Sequence, residues 1–571
     1  MKKSFCFIIS GFCLVGFAQS KPVYPQDYFL SPLKISTEAS GTFGELRGNH
    51  FHSGFDFKTQ QKEGQEVVAV ADGFISRIKY SAFGYGKAIY VTHPNGFTTV
   101  YGHLQKANPE IEKYVAAYQY KKQAFEVELF PKKGELPVTK GQLLAYSGNT
   151  GGSGGPHLHF EYRDSATEEI INPLHFGLAQ TLKDTQAPVL KSLWVYPIAD
   201  SSVVNQSNQK VNLVFNKLAP NSFISNKVLA NGAIGFAINS YDLMNGHLNH
   251  NGLYRIEMWI NGSLQYQISF DRFNFAETRY INSYIDYEHK MKRKETLQKL
   301  FRGNSFPLSL LAANTFSGVL NVQPNDNYNV IIKLFDFHDN KTEVTIPVAY
   351  SNQPAVHIKP QVKTDYLIKA DRQNIYQQEN VTVTVPKNTF VDDFYMNFEV
   401  KNGVLKLHED VVPGYQNMTF EFDIENTPFA AVPVKKLFIA ETSGKTPNYL
   451  STNVKGNKLY TRNRNLGTYQ VAIDTVAPKI YGLNFKDGDN LDTKSIIKVN
   501  IADEQSGIQS YNGYLNNQWI LMEYDYKTKS LVHNLNDNVY VNGENVFKIE
   551  VTDKAANKTV LEAKFNKSKN N

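Results

Sequence analysis

Four short segments of this chain carry side chains that could share one metal ion: His52-x3-Asp56, Tyr101-Gly102-His103-Leu104, Gly148-Asn149-Thr150-Gly151 and His157-Leu158-His159. Imidazole and carboxylate are both sound zinc ligands, and a hydrolytic zinc centre uses three protein ligands with one coordination position left open. Bound zinc lowers the pKa of water from about 15.7 to about 7, and spare imidazoles can then move protons and stabilise negative charge. Each segment alone is weak. An isolated His-x3-Asp pair is commonly surface polarity, His50 could replace His52 by reach, and a lone His103 is more often a hydrogen-bonded structural histidine.

The elements that would position these residues are strands. In His157-Leu158-His159-Phe160-Glu161-Tyr162 residues two apart share a face, so His157, His159 and Glu161 point one way and Leu158 and Phe160 the other. Glu161 could be a general base or a carboxylate that fixes an imidazole tautomer. The preceding Gly151-Gly152-Ser153-Gly154-Gly155-Pro156 suits a backbone passing close to a ligand. Upstream, Glu66–Val70, Gly73–Tyr80, Lys87–His93 and Thr98–Tyr101 are β-branched or aromatic runs divided by glycine turns, the pattern of a compact antiparallel, partly barrel-like sheet. An interruption at 106–134 has helical spacing over Pro109–Tyr118.

Beyond residue 183 the composition shifts to Asn, Lys and aromatics, and a weak repeat appears. Asp184-Thr185-Gln186-Ala187-Pro188 recurs as Asp474-Thr475-Val476-Ala477-Pro478. Asp336-x3-Asn340-Lys341-Thr342 recurs as Asp553-x3-Asn557-Lys558-Thr559. The bracketed segments alternate as strands, which predicts β-sandwich, Ig-like modules at 184–350 and 474–571, with a further β-module at 351–473. The first module carries an insert from about Phe275 to Phe316, whose Tyr284–Arg302 stretch reads as a helix. The fold class is therefore mainly β: a compact zinc-site domain over 21–183, with the 106–134 insertion, followed by β-sandwich modules.

With its elements in this order, the span from about Asn49 to Gly177 resembles the lysostaphin-type (LytM-like) zinc metallopeptidases, which cut peptide bonds in bacterial peptidoglycan. The resemblance rests on His52-Ser53-Gly54-Phe55-Asp56, Val68-Ala69-Val70-Ala71-Asp72-Gly73, Tyr101-Gly102-His103-Leu104, Lys140-Gly141-Gln142, Ser147-Gly148-Asn149-Thr150-Gly151 and Gly155-Pro156-His157-Leu158-His159-Phe160-Glu161. It implies that His52, Asp56 and His159 bind Zn²⁺, that His103 and His157 assist catalysis, and that the substrate is a peptidoglycan crosslink. The 106–134 insertion departs from compact members and would reshape the groove. Degenerate relatives lose zinc ligands and act as silent wall-associated regulators; this chain keeps the set. The region beyond Asp184 is expected to govern where the enzyme acts, through a glycan or protein partner, rather than its chemistry.

At 571 residues the chain has room for roughly four domains of about 150 residues. Lys2 and Lys3, the apolar run Phe5 to Phe17 and Ala18-Gln19-Ser20 read as a signal peptide over 1–20. Both cysteines, Cys6 and Cys13, fall inside it, so the exported chain would hold no disulfide and any zinc site must use nitrogen and oxygen ligands. Removing the two lysines takes the formal charge from +6 to +4, with no concentrated basic patch for nucleic acid. No later apolar stretch is long enough for a transmembrane helix. The expected location is periplasmic, cell-surface or secreted. A carrier or phosphotransfer barrel is the other Gly-punctuated small β-fold, and the export signal and the His/Asp set argue against it.

Overall fold

Short runs of β-branched and aromatic residues between 39 and 164 pair into one antiparallel sheet. Its strands are β1 (Ala39–Gly41), β2 (Phe55–Lys58), β3 (Glu66–Val68), β4 (Gly73–Tyr80), β5 (Lys87–Thr92), β6 (Phe97–Ala107), β7 (Val127–Leu129), β8 (Leu143–Ser147) and β9 (His157–Asp164). They run in the order β1-β2-β9-β6-β5-β4-β7, with β8 joining β3 to β6. The computed structural model describes residues 23–568 apart from 247, 303–307, 313–316, 359, 361 and 538. The expected export segment, 1–20, lies outside the described residues.

The register sets the chemistry. Strand β9 lies between β2 and β6 with His159 opposite Asp56 on one side and opposite Gly102 on the other. Leu158, Phe160 and Tyr162 point from β9 into a core with Phe55, Phe57 and Tyr101, so the odd-numbered residues face the site, as the alternation predicts. The interruption after β6 forms α1 (Pro109–Lys122): Asn108 accepts the Ile111 N–H as N-cap, Pro109 opens the helix, and Gln123 closes it in the left-handed region. Ile111 and Val115 are buried against the same core.

A second core follows, built from Val189–Pro197, Val228–Tyr241, Arg255–Ile260, Asn327–Phe335 and Lys341–Tyr350. The 14-residue strand Val228–Tyr241 pairs with Val189–Pro197 through its C-terminal half and with Lys341–Tyr350 through its first residues. Phe43, Phe51 and Ile170, which precede this module in sequence, are buried in its core. Ile170–Ile171 also pairs with Arg272–Phe273, so the two units share packing and backbone hydrogen bonds.

The insert differs from the single helix expected over Tyr284–Arg302. It forms two short helices, α2 (Ile281–Tyr284) and α3 (Tyr287–Arg293), followed by a strand at Gln298–Lys299. Asp286 caps α3 by accepting the His289 N–H, and Lys294 ends it in the left-handed region at φ 59°. The chain then returns with Leu297 and Leu300 buried.

Residues 374–473 form two five-stranded sheets around one core, and residues 479–567 form a four- and a five-stranded sheet around another. The last module folds back onto the first domain. Lys87 pairs with Glu523 at 2.9 Å, the Phe83 ring lies 4.8 Å from Tyr526, and Tyr120 lies edge-on to Trp519 at 5.4 Å. No helix among the described residues is long and apolar enough to cross a membrane.

Candidate metal and catalytic site

Three strand ends and one turn converge on the open face of β9. His52 precedes β2, Asp56 lies in β2, and His159 in β9. His52 Nε2 lies 3.1 Å from Asp56 Oδ1 and 3.1 Å from His159 Nδ1, and His159 Nδ1 lies 2.9 Å from Asp56 Oδ1. All three residues are buried. Ligand atoms at about 2.0–2.2 Å from one tetrahedral zinc are set roughly 3.3 Å apart, so the triangle fits such an ion with little adjustment, and its donor atoms could hold a metal. Exposed His50 is not in this triangle.

The remaining nitrogens are committed elsewhere. His52 Nδ1 bonds the Thr42 carbonyl at 2.7 Å and His159 Nε2 bonds Glu161 Oε1 at 2.9 Å. With the far nitrogen of each ring so bonded, a lone pair on the near nitrogen can be offered to a metal at the centre, the tautomer a ligand requires. Asp56 Oδ2 accepts from Arg47 Nη2 at 2.7 Å, leaving Oδ1 for the centre. Gly54 is fixed by space: a Cβ there would lie 2.4 Å from the Phe160 carbonyl oxygen and 2.8 Å from His159 Cε1.

Without an ion, charge balances within the cluster. Burial opposes ionisation of Asp56, but His52 and His159 outweigh it and hold the carboxyl well below its usual range. Burial likewise lowers His159, yet Asp56 and Glu161 raise it to about 9. A metal would displace that proton, because the ligand form of His159 needs Nδ1 free.

Two more imidazoles border the triangle. His157 Nε2 lies 3.6 Å from Asp56 Oδ1, while its Nδ1 bonds the Gly155 carbonyl at 2.8 Å. His103 Nδ1 bonds the Thr150 carbonyl at 2.8 Å, and its ring centre is 4.8 Å from that of His157. Burial drives both below the ordinary value, His103 to about 3 with help from His159 and His157. Both are neutral at pH 7, with Nε2 able to accept a proton. The turn is clipped in place by Thr150, whose hydroxyl donates to the Leu104 carbonyl and accepts the Lys87 N–H.

Glu161, which the sequence places on this face as a carboxylate able to fix an imidazole tautomer, bonds His159 Nε2; several of its partners escaped sequence reasoning. Glu161, fully buried, accepts from Ser53 Oγ at 2.6 Å, from the Tyr85 hydroxyl, and from Arg163 through Nε at 2.8 Å and Nη2 at 2.6 Å. Tyr85 also stacks on His159 with ring centres 4.9 Å apart. Arg163 two residues after Glu161 was a legible signal for a buried pair on one strand face; Arg47 and Tyr85 had none, since loop positions carry no periodicity. Support also comes from the second module: Thr278 Oγ1 accepts the Phe51 N–H, and Lys290 Nζ donates to the Arg47 and Gly48 carbonyls. From the last module, Lys527 Nζ donates to the Asn149 and Ser153 carbonyls beside the turn.

Comparison with known proteins bears on this site. Residues 50–121 match peptidase family M23, and residues 365–474 match a Zu5-like domain. The chain is 35% identical over 130 residues to an uncharacterized metalloprotease of Haemophilus influenzae, covering 23% of this chain and 22% of that protein. It is 32% identical over 154 residues to the DD-carboxypeptidase/endopeptidase Mpg of Neisseria meningitidis serogroup B, covering 26% and 29%. The chain thus spans under a third of the length of these curated relatives. Among solved structures, the catalytic domain of lysostaphin from Staphylococcus simulans is 25% identical, with 23% of this chain and 86% of that one covered and a TM-score of 0.18.

Proposed function

From a chain that carries a peptidase family M23 domain near its N-terminus, we propose a zinc-dependent endopeptidase that hydrolyses peptide crosslinks of bacterial peptidoglycan. The observation that carries this reading is the triangle of His52 Nε2, Asp56 Oδ1 and His159 Nδ1, with sides of 2.9–3.1 Å, bordered by two neutral imidazoles. When bound, zinc would supply Lewis acidity toward a scissile carbonyl and a lowered water pKa.

The chain's own residues do the rest. His52, Asp56 and His159 hold the ion, and Thr42, Arg47 and Glu161 fix their orientation. His103 and His157, each anchored through Nδ1 to a backbone carbonyl, present Nε2 to the same space. One accepts the proton of the attacking water and returns it to the leaving amine, and the other stabilises charge developing on the carbonyl oxygen. The name of the meningococcal relative favours a crosslink between D-amino acids over a glycine bridge. Such a substrate places the enzyme outside the cytoplasm, and the modules beyond residue 184 would govern where on the wall it acts.

The test is digestion of purified peptidoglycan by the zinc-loaded chain, with mass spectrometry of the products. Cleaved crosslinked muropeptides with new amine termini, abolished by chelation and restored by zinc, are expected. Intact crosslinks with a fully zinc-loaded chain would overturn the proposal.

A further inference from the structure

The two repeats noted in the sequence build the same corner of backbone. Thr342 Oγ1 donates to the Pro188 carbonyl and Thr559 Oγ1 to the Pro478 carbonyl, both at 2.5 Å. Asn340 Nδ2 donates to the Asp184 carbonyl at 3.1 Å, and Asn557 Nδ2 to the Asp474 carbonyl at 3.2 Å. Each corner gathers three aspartates: Asp184, Asp242 and Asp336 in one, Asp474, Asp503 and Asp553 in the other.

The corners differ in how the carboxylates are satisfied. In the C-terminal copy, Asp474 Oδ2 accepts from Ser506 N at 3.1 Å and Ser506 Oγ at 2.6 Å. Asp503 Oδ1 accepts the Gln505 and Gly507 N–H groups. In the N-terminal copy, Asn245 stands three residues after Asp242, as Ser506 stands three after Asp503. Its Oδ1 is turned to accept from Thr185, away from Asp184. Asp184 Oδ2 and Asp242 Oδ1 are then left with no hydrogen-bond partner, although Asp184 is only 7% exposed and Asp242 only 4%.

Asp184, Asp242 and Asp336 line one small cavity of about 20 Å³, together with His338 and with Thr42 and Asn172 from the first domain. That is room for a single ion or water. One donor atom each from Asp184, Asp336 and His338 lie within 4.8 Å of one another. The charges acting on Asp242 are Asp336 and Asp184, with no lysine or arginine among them, and burial together with these neighbours pushes its carboxyl up to about 8. Buried carboxylates of like sign with unmet lone pairs are costly unless paired or bound to a cation.

We propose that Asp184, Asp242 and Asp336 form a structural site for a divalent cation taking oxygen ligands, calcium foremost, at the seam between the first domain and the second module. Carboxylate donors favour calcium, magnesium or manganese over softer metals. His338 Nε2 bonds the Ala179 carbonyl at 3.2 Å, so only its Nδ1 could join the carboxylates, and an oxygen-dominated donor set favours a hard cation over zinc. An ion here would clamp the seam next to Thr42, whose carbonyl orients His52 and whose hydroxyl accepts the Gly252 N–H. The site does not depend on the chemistry at His52, Asp56 and His159.

The test is calcium titration of the full zinc-loaded chain, read by calorimetry and by the thermal midpoint. One bound calcium per chain and a raised midpoint are expected. Asp242→Asn should weaken binding at least about tenfold, and Asp503→Asn, in the satisfied corner, should leave it unchanged. Because Asp242→Asn replaces a carboxyl that burial and its acidic neighbours already keep from ionising, that variant without calcium should melt no lower than the calcium-free parent. No binding up to about 10 mM, tenfold above the weakest extracellular calcium modules, would overturn the proposal. So would equal affinity in Asp242→Asn, a loss of binding in Asp503→Asn, or a lower calcium-free midpoint in Asp242→Asn.

Discussion

Glu161→Gln is a sharp test of how the site is oriented, because one carboxylate serves two sets of donors. Oε1 accepts from His159 Nε2, Ser53 Oγ and the Tyr85 hydroxyl, and Oε2 accepts from Arg163 Nε and Nη2. Glutamine offers one oxygen and one NH2. If its oxygen faces His159, the NH2 meets the buried Arg163 guanidinium donor to donor. Breaking a buried ion pair from one side costs about 3–5 kcal/mol, here reduced because Glu168 lies 3.3 Å from Arg163. If its oxygen faces Arg163, the NH2 meets His159 Nε2. The ring must then move its proton to Nδ1, the atom aimed at Asp56 and His52. Loss of such a supporting bond lowers metal affinity about 10–100-fold, or about 1.4–2.7 kcal/mol. Competition against a chromophoric zinc chelator reads the second outcome, and urea unfolding of the metal-free chain reads the first. Zinc affinity within about twofold of the parent, together with an unchanged unfolding midpoint, would refute the orientation argument.

Other outcomes follow from the same geometry. His103→Ala and His157→Ala should each keep zinc while losing about 10²–10⁴-fold in hydrolysis, measured by metal analysis beside muropeptide release; loss of zinc in either would reverse the division between ligands and proton carriers. A chain ending near Thr185 should be destabilised by about 3–6 kcal/mol, since Phe43 and Phe51 lose the second core at about 1.5–3 kcal/mol each; unfolding at the parent's urea midpoint would contradict this. Lys527→Ala should speed hydrogen exchange in residues 149–156 about fivefold, the effect of about 1 kcal/mol in local opening, with bound zinc unchanged.

Much of the site was legible because it rests on strand alternation. His157, His159 and Glu161 share a face in sequence and in space, and the glycines at 54 and 102 mark where backbone passes His159. The mainly β class followed from the same period of two. Less legible was everything that depends on distant packing. Nothing local marks Phe43 and Phe51 as members of the second core, since an aromatic residue in a loop can face any partner. The Tyr284–Arg302 stretch has helical composition, yet Leu300 joins the second core, Leu297 is buried, and the chain turns at Lys294 before them. The contacts of Lys87 with Glu523 and of Lys527 with the Asn149 turn join residues more than 370 positions apart, beyond the reach of spacing arguments.

The central claim is that one metal held by His52, Asp56 and His159 carries out crosslink hydrolysis. It is tested most directly by measuring bound zinc and muropeptide cleavage together in the parent chain and in His159→Ala. The account predicts about one zinc per chain with new amine termini in the parent, and neither in the variant. Full zinc occupancy in His159→Ala, or crosslink cleavage persisting without the metal, would contradict it.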